Sequence, residues 1–146
     1  MNLERYDVTF SPDFTEFQFY SEGRRGRVRK VVRFDPLPSP NTYNLAFGDE
    51  DPVTGMVDYT ATTDNGDTRK VLVTVAAIVL VFLRSKPGEA VFAQGSTASR
   101  DGLYRINLSR HLNQLPVHLE ALGRLGADWE PFAPNKKYDG LLLRWK

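Results

Sequence analysis

The chain is predicted to adopt an α+β fold: an antiparallel β-meander packed around one long central helix and followed by a strand, a helix and further strands. Three observations lead there. Val71 to Leu83 is apolar except for Thr74, a run longer than the ~4–8 residues usual in a buried strand. The residues before it alternate apolar and polar positions between turn signals, the period of half-buried strands. Behind it, Pro87-Gly88, Gln94-Gly95-Ser96-Thr97 and Pro116 divide the rest into short elements.

In chain order, Tyr6, Val8 and Phe10 alternate, then Phe17 and Phe19, with a turn at Ser21-Glu22-Gly23. From Gly26 to Phe34, Val28, Lys30, Val32 and Phe34 fall on one strand face, and Arg27, Arg29, Val31 and Arg33 fall on the other. Asp35 to Pro40 carries three prolines and reads as a loop. Tyr43, Leu45 and Phe47 form the next strand, and Met56 to Thr62 another. Asp64-Asn65-Gly66 is a tight turn into a helix spanning Asp67 to Lys86, with Asp67 or Thr68 as cap and Arg84 and Lys86 at the carbonyl end. A helix apolar all round must be covered all round, by a sheet curling over it. Then come a strand at Ala90 to Ala93, a helix from about Ala98 to Leu112, and a strand through Val117, Leu119 and Ala121 with turns at Gly123 and Gly126. A closing hairpin joins Trp129–Phe132 to Gly140–Trp145.

Composition bounds the function. The 146 residues, 41% hydrophobic and 25% charged, are those of a single globular domain spanning 1–146. With 19 basic and 18 acidic residues, net charge +1, any attraction to nucleic acid must come from a local patch. The absence of cysteine excludes a disulfide framework, a thiolate zinc site and a cysteine nucleophile. The apolar run falls short of the ~20 residues of a bilayer span, so no membrane partner is expected. Met1 to Arg5 has no signal-peptide core, so a cytoplasmic location is expected.

Two stretches suit anions. Gly95-Ser96-Thr97 opens the second predicted helix, whose free N–H groups, with Arg100 and with Tyr104 one turn on, would hold a phosphate; the plainer reading, which the ligand site does not exclude, is that Ser96 or Thr97 caps the helix. The cluster Arg24, Arg25, Arg27, Arg29 and Arg33, with Tyr20 upstream, would track a single-stranded backbone while a ring stacks a base; basic residues also protect sheet edges. Asp64-Asn65-Gly66-Asp67 lacks calcium-loop spacing, and Asp49-Glu50-Asp51 reads as a solvated loop, so no metal or cofactor is expected. His111 and His118 supply the only imidazoles, without a nucleophile elbow or P-loop.

Several stretches together resemble a family of small bacterial proteins of unknown function. They are Tyr43-Asn44-Leu45-Ala46-Phe47-Gly48-Asp49, then Asn65-Gly66-Asp67 followed by Lys70 to Ala76, and Gly95-Ser96-Thr97 followed by Arg100, Leu103, Tyr104 and Arg105. Asp101-Gly102 departs from that pattern. Phe17 to Arg29 also resembles the strand and Arg-Gly turn of PUR-type single-stranded nucleic-acid-binding repeats, which implies a basic, aromatic sheet surface. The leading expectation is a binding module for a phosphate-bearing partner, single-stranded nucleic acid or a nucleotide. Two others stand beside it: an enzyme acting on a nucleotide-like anion with a carboxylate base from Asp49, Asp58 or Asp67, and a protein-interaction or homo-oligomeric protein.

Overall fold

Alternating aromatic and polar side chains build the first half of the sheet. In the computed structural model, which describes residues 4–59, 65–94, 116–134 and 136–146, β1 (Thr9–Phe10), β2 (Glu16–Gly23), β3 (Gly26–Pro36) and β4 (Thr42–Glu50) pair antiparallel in sequence order. Phe17, Phe19, Val32, Phe34, Leu45 and Phe47 all turn to one face, where none is more than 6% exposed. β3 runs past the predicted boundary, because Asp35 and Pro36 pair with Asn44 and Tyr43. Proline's fixed φ tolerates extended backbone, and the loop therefore starts only at Leu37, whose N–H donates to the Thr42 carbonyl at 2.9 Å.

The apolar run is a helix, α1 (Thr68–Ser85), ending within a residue of the predicted bounds. Val71, Val75, Ile78, Val79, Phe82 and Leu83 share one cluster with the apolar sheet face. Phe82 is fully buried; its ring stacks on Phe34 at 4.0 Å and meets Tyr43 edge-on at 5.0 Å. The sheet does not enclose the helix as predicted, since Ala76 and Val81 on the far side are exposed. Small aliphatic residues cost little in water, so one face suffices to hold the helix.

After α1 the chain returns as β6 (Ala90–Ala93), which lies parallel to β4 with Val91 opposite Tyr43. The sheet is therefore mixed rather than a pure antiparallel meander. A helix between two strands carries the chain back to its starting end, and that geometry makes the next strand parallel. β5 (Val57–Asp58) pairs with the end of β4, a shorter strand than the predicted Met56 to Thr62, part of which lies outside the described residues. The predicted helix from Ala98 to Leu112 also lies outside them.

The last three strands, β7 (Leu119–Leu125), β8 (Asp128–Pro131) and β9 (Gly140–Trp145), complete the order β1-β2-β3-β4-β6-β9-β7-β8, with β5 beside β4. The predicted closing hairpin does not form. β8 pairs with β7 through a turn at Gly126, and β9 inserts between β6 and β7. Consecutive leucines 141–143 give β9 apolar side chains on both faces, which suits an interior strand, while β8, short, charged and ending in Pro131, suits an edge. Gly123 lies inside β7 rather than at a turn, because Tyr138 packs straight onto it and a Cβ there would sit 2.4 Å from the ring. The Trp145 indole N–H donates to the Leu83 carbonyl at 2.9 Å and ties the last strand to the end of α1. Among the described residues no helix is long and apolar enough to cross a membrane.

One charge pair sits within the apolar face. Lys30 is 4% exposed and its Nζ lies 2.6 Å from the Asp49 carboxylate, its register partner on β4. Truncating Phe82 to alanine should cost about 3–5 kcal/mol in urea unfolding, the range for deleting a buried phenyl ring. Lys30→Met should cost a similar 3–5 kcal/mol by removing the cation that faces the buried Asp49 carboxylate, and adding Asp49→Leu should recover part of the loss.

Candidate functional site

The face of β2 to β4 opposite α1 carries the predicted arginines. Strand alternation puts Glu16, Gln18, Tyr20 and Glu22 on that face of β2 and Arg27, Arg29, Val31 and Arg33 on that face of β3, and register sets Tyr20 opposite Arg29 and Glu22 opposite Arg27. Arg24 and Arg25 occupy the exposed turn between the strands. The structure thus places Tyr20, Arg24, Arg25, Arg27, Arg29 and Arg33 on one hairpin, of which the alternation predicted only the shared face of Arg27, Arg29 and Arg33.

Their surroundings divide them. The Arg29 guanidinium meets Glu50 at 2.6 Å and also donates to Gln18. Arg33 Nε lies 3.0 Å from both Asp35 oxygens, and its guanidinium carbon is 4.9 Å from the centre of the Tyr59 ring. That bond to Asp35 raises the Arg33 pKa further. Burial pushes the Tyr59 hydroxyl pKa up, against the pull of Arg33. The chain at Asp58 and Tyr59 passes over β4 at Gly48, where a Cβ would lie 2.6 Å from the Asp58 carbonyl oxygen. Arg29 and Arg33 are thus held by local carboxylates. Arg27 differs: its guanidinium carbon lies 3.9 Å over the Tyr20 ring, its nearest carboxylate, Glu22, is 3.8 Å away, and its side chain is 65% exposed. Tyr20 is itself 40% exposed. At the end of the hairpin the face offers an open ring bearing a guanidinium beside two further arginines.

Behind the same hairpin lies a polar network that the sequence did not reveal. Asp67, expected to cap α1, makes no cap bond; its Oδ2 accepts from the Tyr6 hydroxyl and the Ser21 hydroxyl, each at 2.5 Å. Asn65 Nδ2 donates to Ser21 Oγ at 3.1 Å and to the Gly26 carbonyl at 3.0 Å, while its Oδ1 accepts from the Arg25 N–H at 2.6 Å. The Tyr6 N–H donates to Thr74 Oγ1 at 2.9 Å, and Lys70 Nζ lies 4.2 Å from the Tyr6 ring centre. Ser21, Asn65 and Thr74 are almost fully buried. These bonds hold the arginine turn against the helix start and leave Asp67 as an acceptor already occupied. The sequence signal was confined to the turn-forming Asn65-Gly66, and nothing in it pairs Tyr6 with a residue 61 positions away.

Of the carboxylates expected as bases, Asp49 is buried against Lys30 with Asp58 as its register partner on β5, while Asp67 lies apart from them, held by Tyr6 and Ser21. Among the described residues no three histidine or acidic side chains are grouped to hold a metal. His118 is exposed, whereas His111, Gly95, Ser96, Thr97, Arg100 and Tyr104 lie outside the described residues.

The chain belongs to a family of unknown function, DUF6934, whose pattern matches residues 2–146. No curated protein and no solved structure matches it significantly.

Burial, followed by the bond to Asp67, raises the Tyr6 hydroxyl pKa above its ordinary value of 10.0. The neutral phenol is the form the fold favours, so its contribution is complete below that value and is lost as pH rises through the higher folded pKa. Urea unfolding should show Tyr6→Phe less stable than the parent at neutral pH by about 1 kcal/mol. The difference should shrink in alkali.

Proposed function

We propose that this member of the family is a binding module for a phosphate-bearing partner, and that the partner is single-stranded nucleic acid held by the β2–β3 hairpin. The observation that carries the reading is Arg27 lying 3.9 Å over the exposed Tyr20 ring beside Arg24 and Arg25 in the turn. The Arg27 guanidinium stacked on the Tyr20 ring offers a flat surface on which a base stacks, and its N–H groups supply donors that phosphate oxygens accept. Single strands suit this arrangement because their bases are free to leave the stack and lie on a ring.

Arg29 and Arg33 take a different part. Held by Glu50 and by Asp35, they fix the face on which the strand would lie and add little net charge to it. The polar network behind the turn supports the same reading, since Asn65 bonds to the Arg25 N–H and the Gly26 carbonyl and so presets the backbone of the arginine turn before any ligand arrives. Preset donors lose less freedom on binding. The total charge of +1 adds no long-range pull, so the attraction is confined to the hairpin end.

The test is fluorescence polarisation with single-stranded oligonucleotides across a range of salt. Each phosphate contact on a single strand contributes about −0.7 to the slope of log affinity against log salt, so replacing Arg24, Arg25 and Arg27 by alanine should flatten it by about 2. Replacing Arg33 alone should change it by much less. An unchanged slope in the triple variant refutes the hairpin interface.

A further inference from the structure

The arrangement of exposed ring and overlying guanidinium recurs once more among the described residues. Trp129 on β8 is 42% exposed, and the Arg124 guanidinium carbon lies 5.9 Å from its ring centre and 4.8 Å from that of Phe92. Phe92 and Trp129 meet edge-to-face at 6.1 Å. Arg124 is set in place by Asp139: Nε donates to Oδ1 at 2.9 Å, and the guanidinium also reaches the Asp139 carbonyl at 3.3 Å. The Arg124 bond, with the Gly126 N–H behind it, holds the Asp139 carboxyl below the usual carboxylate range.

Register places this second group on the same sheet face as the first. Asp35 follows Arg33 by two residues and pairs with Asn44, Asn44 pairs with Phe92, and Phe92 pairs with Leu142, which pairs in turn with Leu122. Arg124 follows Leu122 by two residues and pairs with Trp129. All of these therefore face away from α1. From β2 to β8 the sheet order takes six interstrand steps, which at ~4.8 Å each put about 29 Å of sheet between the strands that carry the two exposed rings.

From this repetition we infer that Phe92, Arg124 and Trp129 form a second base-stacking station, and that one single strand of nucleic acid crosses the outer face to occupy both stations. The inference rests on the hairpin reading and deepens it by assigning the two halves of the sheet different work. The hairpin end, with three arginines, draws phosphates. The Trp129 station, whose one guanidinium is neutralised by Asp139, contributes stacking with little net charge. A ligand engaging both gains the advantage of an intramolecular second contact, but only when it is long enough to span them.

The experiment measures affinity for oligothymidylates from about 4 to about 16 nucleotides, the usual span of single-strand sites, in the parent, in Trp129→Ala, in Trp129→Phe and in the Arg24, Arg25, Arg27 triple alanine variant. The parent should show a rise in affinity once the strand spans both stations. Trp129→Ala should abolish that rise, weakening the longest oligonucleotide about tenfold or more while leaving the shortest and the salt slope unchanged, and Trp129→Phe should recover part of it. Tryptophan emission should be quenched by long strands and not by short ones, because Trp145 is bonded to Leu83 and only Trp129 lies on the outer face. An affinity independent of length, with Trp129→Ala binding like the parent, overturns the second station while the hairpin interface stands. A parent that binds no oligonucleotide overturns both.

Discussion

The structure depends on one contact above all, the stack of Phe82 on Phe34. α1 and the apolar face of the sheet bury their side chains in one shared cluster. Phe82 joins them near the helix end, where Tyr43 on β4 closes in from the side. The following strand then has one way to go. It must return alongside β4, which fixes the parallel β4–β6 pair, and the remaining strands are added outward from it.

At the opposite end of the helix the joint is polar. Asp67, Ser21, Tyr6 and Asn65 connect the N-terminal segment, the β2–β3 turn and the helix start through short hydrogen bonds, where a purely apolar contact would leave several backbone groups without partners. Lys30 and Asp49 add a charge pair inside the same face. A core that is aromatic at one end and polar at the other leaves little freedom in how the helix lies, since a shift of register would bury unpaired groups. The arginine turn inherits that rigidity because its backbone is part of the network.

On the outer face charge is distributed unevenly. Carboxylates accompany Arg29, Arg33, Arg124 and Arg144 at ion-pair distances of 2.6 to 3.1 Å, whereas Arg27 lies on a ring with its carboxylate further off. Exposed pairs of this kind contribute little to stability, and their effect is to fix side-chain positions and cancel field. Among the described residues, four arginines of this face are thus compensated by carboxylates.

The sequence by itself determined the elements whose signals are local. The run from Val71 to Leu83 is too long and too apolar for a strand, and α1 has nearly the predicted bounds. Alternation in Gly26 to Phe34 put Arg27, Arg29 and Arg33 on one face together with Val31, as periodicity of two must, whereas only the pairing of β2 with β3 set Tyr20 opposite Arg29. The prolines of 35–40 located a loop but not its first residue. Tertiary structure alone decided which strands pair. Leu141, Leu142 and Leu143 fit an interior position between β6 and β7 as well as a hairpin with residues 129–132, and only the competition for the central place in the sheet separates the two. It also decided that Asp67 serves Tyr6 and Ser21 rather than its own helix, and that Arg29 and Arg33 are paired while Arg27 lies on Tyr20. Hydrogen bonds and ion pairs between residues far apart in the chain leave no periodic trace in it, because they depend on distances that exist only after the sheet has assembled.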